Sequence, residues 1–137
     1  MINIHKTRQN RKNQLYLELI SKEHNEINFD SKENFLKWSI QIIEKHLVEA
    51  DFNLDEFAAE MNISKSVLHR KFKLLVGQTP NQLIKLIRLR KSVEYLQNSE
   101  LSISEIAYMS GFSQSHYFIK CFKEVYKETP KAYRNKI

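Results

Sequence analysis

The fold is decided by a stretch that occurs twice: LDEFAAEMNIS at residues 54–64 and ISEIAYMSGFS at residues 103–113. Both copies have Glu at the third position, Ala at the fifth and Ser at the last. Each copy predicts a short helix that ends in a tight turn at Asn62 or Gly111, because these residue types tolerate a left-handed backbone. The chain therefore carries an internal repeat of a helix and a turn.

A second helix is predicted after each turn. The repeat continues through this part of the chain, where Phe72-Lys73 matches Phe122-Lys123 and Thr79-Pro80 matches Thr129-Pro130. Helix, tight turn and helix is the order of the helix-turn-helix motif, whose second helix can enter a DNA major groove. Many helical hairpins share this order, so one copy alone would be weak evidence. Two matched copies joined by a long helix are much stronger evidence.

The composition favours an all-α fold and excludes several classes of site. Two Gly and two Pro in 137 residues are too few for the turns of a β-rich chain. The single cysteine, Cys121, rules out an internal disulfide framework, and we expect it to be a buried thiol. No His or Cys cluster, glycine-rich phosphate loop or nucleophile with an orienting base is evident, so we predict no metal, no cofactor and no enzyme. No signal peptide or membrane span is evident either, which predicts a cytoplasmic chain without membrane contact.

The chain is expected to divide into a tail and a folded part. Residues 1–30 are polar and mixed in charge, typical of a linker or the tail of an upstream domain. The folded part is 31–137, with a first helix-turn-helix subdomain at about 31–79, a linker helix at 80–98 and a second subdomain at about 99–137. Its first helix is expected to begin at an Asp30 cap and to place Trp38 in the core.

Positive charge is concentrated in one part of the chain. Residues 64–99 hold eight Lys/Arg and one Asp/Glu, a net charge of +7 against +6 for the whole chain. Such a cluster attracts the phosphates of nucleic acid or of lipid. The plain alternative is a solvated basic face.

Helical spacing separates an inner from an outer face on each second helix. The predicted inner faces are Leu68, Phe72 and Leu75, and then Phe118, Phe122 and Val125. The predicted outer faces are Ser66, His69, Arg70 and Lys73, and then His116, Ile119, Lys120 and Lys123 with Ser115 near the helix start. The outer faces contain no acid, and Arg or Lys side chains there can pair with guanine or meet phosphate. Ile119 is unusual on such a face and could meet a thymine methyl group or a protein partner.

Over about residues 34–135, the chain resembles the DNA-binding domain of the AraC/XylS family of bacterial transcription regulators. The motifs that carry this resemblance are Leu54 to Ser64, Arg70-Lys71-Phe72-Lys73, Gly77-Gln78-Thr79-Pro80, Ile87-Arg88-Leu89-Arg90, Ile103-Ser104-Glu105-Ile106-Ala107, Gly111-Phe112-Ser113, Tyr117-Phe118, Phe122-Lys123, Thr129-Pro130 and Tyr133-Arg134. The resemblance implies about seven helices in two homeodomain-like subdomains joined by a long central helix. It also implies recognition helices at about 65–76 and 114–126, set in successive major grooves on one face of the DNA.

The same resemblance implies which side chains meet the DNA. Base contacts are expected from Ser66, His69, Arg70, Ser115, His116, Ile119 and Lys120. Phosphate contacts are expected from Lys65, Lys73, Arg88 and Lys123.

A weaker resemblance concerns the start of the chain. Residues 6–11, followed by Phe35-Leu36 and Ile42-Ile43-Glu44, are similar to the junction after a receiver domain in hybrid two-component sensors. This implies that the chain is the C-terminal output domain of such a protein. The implied partners are double-stranded promoter DNA, an upstream receiver or sensor domain in the same chain, and RNA polymerase. The alternative is a small stand-alone regulator.

The sequence thus predicts a DNA-binding transcription regulator that reads a specific, non-palindromic site with two unlike recognition helices. One alternative is a helical interaction module whose basic face binds acidic protein or membrane. Another is an architectural DNA binder without sequence preference, which would show steep salt dependence alone.

Overall fold

The structure is a computed structural model that describes residues 31–137. Within this range all regular structure is helical, as predicted from the composition, and it forms seven α-helices. They are α1 (Ser31–Lys45), α2 (Leu54–Glu60), α3 (Lys65–Lys71, continued by a π-helical stretch, Phe72–Val76), α4 (Pro80–Asn98), α5 (Ile103–Met109), α6 (Ser115–Tyr126) and α7 (Pro130–Asn135). The predicted tail, 1–30, and its Asp30 cap lie outside the described residues.

The described chain forms two compact units. One contains residues 31–43 and 54–80, and the other contains residues 44–53 and 81–137. Each unit holds one helix-turn-helix, α2 with α3 in the first and α5 with α6 in the second. The long helix α4 belongs to the second unit from Asn81 onward.

Phe72 is at the centre of the first unit's core. Its ring packs edge-to-face against Phe35 and Phe57, with ring centroids 5.2 Å and 5.9 Å apart. All three rings are buried. Such edge-to-face pairs add about 0.5–1.5 kcal/mol each beyond the area they bury. They join α1 and α2 to the inner face of α3.

The prediction that Trp38 lies in the core is wrong, because its side chain is 44% exposed. The buried stripe of α1 follows Leu36, Ile40 and Ile43, at the i, i+4 and i+7 positions. At about 100° per residue, Trp38 lies about 200° around the helix from Leu36 and therefore falls outside this stripe.

The inner face of α3 also differs from the prediction in its last turn. The amide of Gly77 donates to the carbonyl oxygen of Phe72 at 2.8 Å, an i to i+5 bond that widens the turn. As a result Val76 is buried, whereas Leu75 is only half-buried. Gly77 then ends the helix in the left-handed conformation, with φ of 77°.

The predicted turns are present in both copies, and α3 has a side-chain cap. Asn62 and Gly111 both have positive φ, 59° and 94°, so each turn of the repeat uses the left-handed backbone. The Ser64 hydroxyl accepts a hydrogen bond from the amide of Val67 at the start of α3. The Gln114 side chain makes no cap bond at the start of α6, so this helix lacks the side-chain cap that α3 has.

The core of the second unit contains the inner faces of α4, α5 and α6, including the predicted Phe118, Phe122 and Cys121. The prediction that Val125 is buried is wrong, since its side chain is 39% exposed. Tyr126 packs inward instead, with its ring centroid 4.6 Å from Phe122 and 5.7 Å from Tyr133 of α7. In the last turn of α6 the inward position is therefore Tyr126, four residues after Phe122, on the side of the helix that α7 covers.

Candidate nucleic-acid interface

The first predicted recognition helix corresponds to α3 with its π-helical stretch, which spans the predicted residues 65–76. Its outer face is open to solvent, because Ser66, Arg70 and Lys73 are exposed and His69 is half-buried. No acidic residue occurs anywhere in Lys65–Val76. The helix therefore presents hydroxyl, imidazole, guanidinium and ammonium groups along one stripe, all of which can donate hydrogen bonds to base edges or phosphates.

The second predicted recognition helix corresponds to α6, which begins one residue later than predicted, at Ser115. His116, Lys120 and Lys123 are exposed along its outer face, and Ser115 is half-buried. Glu124 is its only acid. Apart from the matched Lys73 and Lys123, the two outer faces carry different side chains in matched positions, so they offer different hydrogen-bonding patterns.

The packing of Ile119 explains why an apolar residue occurs on the outer side of α6. The side chain is half-buried and packs against the core of the second unit. Part of this side chain is therefore used in folding, and the remainder is exposed.

Two cations predicted to meet phosphate have partners within the structure. Lys65 Nζ lies 3.5 Å from the Asp55 carboxylate, and both side chains are largely exposed. Such an exposed pair is worth about 0–1 kcal/mol and exchanges easily. The Arg88 guanidinium is held differently, because its Nη2 donates to the carbonyl oxygen of Glu49 at 2.8 Å and its Nε is buried. Burial lowers the pKa of Arg88 below its ordinary value, since desolvation disfavours the charged form.

Tyr117 is not among the contact residues predicted from the sequence, although its side chain is 49% exposed in the first turn of α6. Its ring centroid lies 6.1 Å from that of Phe112 in the preceding turn. A hydrogen bond with the Cys121 thiol is the main cause that raises the pKa of the Tyr117 hydroxyl. Helical spacing could have identified Tyr117, because it lies three residues before the exposed Lys120 and therefore on a neighbouring part of the same surface.

Two further features concern metal binding and membrane insertion in the described part of the chain. No three His, Cys, Asp or Glu side chains gather there as a metal ion would require. Among residues 31–137, no helix combines the length and apolar character needed to cross a membrane.

Comparison with known proteins identifies the family. A family model described as "Helix-turn-helix domain" matches residues 57–136, more than half of the chain. The chain belongs to the AraC/XylS family of DNA-binding transcription regulator domains. This confirms the resemblance seen in the two matched helix-turn-helix copies.

Three relatives show the contexts in which similar domains occur. Histidine kinase P4 of Formosa agariphila is 35% identical over 104 residues, which are 76% of this chain and 8% of that protein. The C-terminal domain of the two-component response regulator yesN from Fusobacterium nucleatum is 32% identical, with a TM-score of 0.68 over 74% of this chain and 98% of that one. The DNA-binding domain of AdpA, a global transcriptional factor solved with a target DNA, is 26% identical, with a TM-score of 0.66 over 79% of this chain and 93% of that one. The chain thus spans a small part of the curated kinase that it matches.

Proposed function

We propose that this AraC/XylS-type domain binds a specific double-stranded promoter sequence by placing α3 and α6 in two successive major grooves. The base contacts proposed for α3 are Ser66, His69 and Arg70. Those proposed for α6 are Ser115, His116, Ile119 and Lys120. Because the two sets differ, one chain reads two unlike half-sites about one helical turn, or 34 Å, apart.

The observation that carries this proposal is the pair of exposed outer faces with matched spacing. The acid-free face of α3 and the nearly acid-free face of α6 lie opposite well-packed aromatic cores. Such support fixes the polar side chains in register, as base reading requires. The target DNA in the solved AdpA complex adds support from a relative of the same fold.

Phosphate contacts are proposed for Lys65, Lys73 and Lys123, which are exposed near the ends or edges of the two outer faces. The phosphate contact predicted for Arg88 is left out of this proposal, because its guanidinium is partly buried against Glu49. Ionic contacts of this kind orient a protein on DNA without reading its sequence.

We further propose that the domain is the cytoplasmic output part of a longer two-component protein, with an upstream receiver or sensor domain, and that it acts on transcription through RNA polymerase. The support is the similarity to histidine kinase P4 and to the yesN C-terminal domain. In this proposal the domain itself performs no catalysis.

The test is a selection from random-sequence duplex DNA at about 150 mM salt, where weak electrostatic binding is suppressed. We expect a motif of two unlike blocks about 10 base pairs apart. Retention of DNA without any motif would instead support an architectural binder. A failure to retain DNA would support a protein-interaction module.

A further inference from the structure

The second unit contains a cavity of about 300 Å³ that none of the proposed DNA contacts lines. Three separate segments surround it: the connection after α1, the first half of α4 and the turn before α6 together with Tyr117. This volume is at the lower end of the range in which proteins hold small molecules, about 300–1,000 Å³. It suits a molecule with one ring or a short branched chain.

One side of the cavity is cationic. Lys85 and Arg88, at the i and i+3 positions of α4, both line it. None of the described residues that line the cavity is acidic. The cavity therefore carries two positive side chains without a neutralising carboxylate in its wall.

The Arg88 guanidinium is fixed in place before any ligand arrives. Its Nη2 is held by the Glu49 carbonyl oxygen, and its Nε lies so close to Gly111 that an added Cβ there would be only 2.7 Å away. The Nε is buried and has no hydrogen-bond partner. Burying an unpaired donor is unfavourable, and a nearby anion would offset part of the cost of burying this charge. A cation held in this way loses little side-chain freedom on binding.

Another part of the cavity wall is apolar. Phe52, Ile84 and Phe112 contribute to the wall, and each is itself more than nine-tenths buried. Small-molecule sites combine mostly apolar walls with a few fixed polar groups that set the orientation of the ligand. This cavity has both parts.

We propose that the cavity binds a small organic anion. Its carboxylate or phosphate group would face Lys85 and Arg88. Its ring or branched chain would pack against Phe52, Ile84 and Phe112. This site is separate from the DNA contacts proposed above, so it can be tested without DNA.

A phosphate of the DNA backbone shares the anionic chemistry of this ligand. It would use only the cationic side of the cavity and leave the apolar wall without a partner. The apolar wall therefore favours a free organic anion, and probes with and without an apolar group separate the two sources.

The experiment is an amide NMR titration of the full chain without DNA, at constant ionic strength, with three probes. Benzoate has both a ring and a carboxylate, acetate has the carboxylate alone, and benzyl alcohol has the ring alone. We expect benzoate to shift the Gly111 and Phe112 signals in a saturable way, with a Kd of about 1 mM or lower. We expect acetate and benzyl alcohol to bind at least about tenfold more weakly.

Two variants remove the same charge at different places. Lys85→Gln should weaken benzoate binding by about tenfold, the loss of one charge-assisted contact. Lys131→Gln, an exposed lysine on α7 that does not line the cavity, should leave the Kd unchanged. The proposal is overturned if benzoate gives no saturable shift or if acetate binds as tightly as benzoate. Equal weakening by the two variants would overturn it as well.

Discussion

A Cβ atom on Gly111 would lie 2.1 Å from the carbonyl oxygen of Leu47. No real Cβ approaches a backbone oxygen so closely, so the connection after α1 packs directly on the turn of the second helix-turn-helix. Gly111 also has φ of 94°, which L-residues with side chains rarely adopt. Both the backbone angle and the close approach therefore require glycine in the turn that sets the start of the second recognition helix.

We expect Gly111→Ala to lower the free energy of unfolding by about 2 kcal/mol or more, from backbone strain and the clash together. The matched control is Gly77→Ala, at a second glycine with positive φ, 77°. This change should cost only about 1–2 kcal/mol, the usual penalty of a left-handed backbone. Urea denaturation of both variants measures the difference. Equal losses would show that the Leu47 contact adds nothing.

Features encoded by neighbouring residues could be predicted from the sequence. The turns at Asn62 and Gly111 each depend on a few adjacent positions. The repeat made them visible twice. The same local logic gave the buried residues Leu68 and Phe118.

Features that depend on tertiary contacts could not be predicted in this way. The π-helical bond from Gly77 to Phe72 has no local sequence signal, so Val76 was not expected in the core. Tyr126 replaces Val125 because α7 covers that side of α6. The cavity at Arg88 needs three segments that only the fold brings together.

Lys127 ends α6 in the left-handed conformation, with φ of 65°. At an offset of 50 it occupies the place that Gly77 has in the first copy of the repeat. Lys127→Gly should therefore raise the free energy of unfolding by about 0.5–1 kcal/mol, because glycine adopts this backbone without strain. The control is Lys123→Gly, one turn earlier in the helix, which should instead cost about 1 kcal/mol. Thermal denaturation compares the two variants. A loss of stability in Lys127→Gly would contradict the left-handed conformation assigned to Lys127.

Arg134 of α7 connects the end of α4 to the loop that follows it. Its guanidinium donates to the carbonyl oxygen of Leu101 at 2.6 Å and to that of Ser99 at 3.3 Å, with longer bonds to the last turn of α4. These carbonyls lack helical partners or lie at a helix end, where such donors are most needed. Arg134→Ala should cost about 1.5–3 kcal/mol of unfolding free energy.

Arg134→Lys tests whether the charge or the geometry of this contact matters. A lysine keeps the charge but presents one ammonium group in place of the planar fork, so we expect it to recover less than half of the loss. Full recovery in urea denaturation would show that charge alone is sufficient.

Glu105 belongs to the capping box of α5. It accepts from the Ser102 amide at 3.1 Å, and its own amide donates to the Ser102 hydroxyl at 3.1 Å. The backbone hydrogen bond from Ser102, and then the bond with its side chain, lower the pKa of the Glu105 carboxyl below its ordinary value. The native state therefore binds fewer protons than the unfolded chain. This stabilisation is present above the ordinary carboxyl pKa and is lost as the pH falls through the lowered one.

Ser102→Ala should raise the Glu105 pKa part of the way back and should reduce the loss of stability on acidification. Ser104→Ala changes an exposed hydroxyl on the same helix and should alter neither. Carboxyl NMR titration of the three proteins measures the pKa. An unchanged value in Ser102→Ala would rule out the contribution of the capping side chain.

Arg70 and Lys73 are both exposed on the outer face of α3, but we propose different contacts for them. If Arg70 pairs with a base, Arg70→Ala should weaken binding to the selected site by about 1–3 kcal/mol and relax the preference at one position. If Lys73 meets phosphate, Lys73→Ala should weaken binding to all sequences alike and lower the salt slope by about one. Fluorescence anisotropy on the selected site and on random DNA, over a range of salt concentrations, measures both effects. Equal losses on the two DNAs for Arg70→Ala would contradict its proposed role, and a sequence-dependent loss for Lys73→Ala would exchange the two assignments.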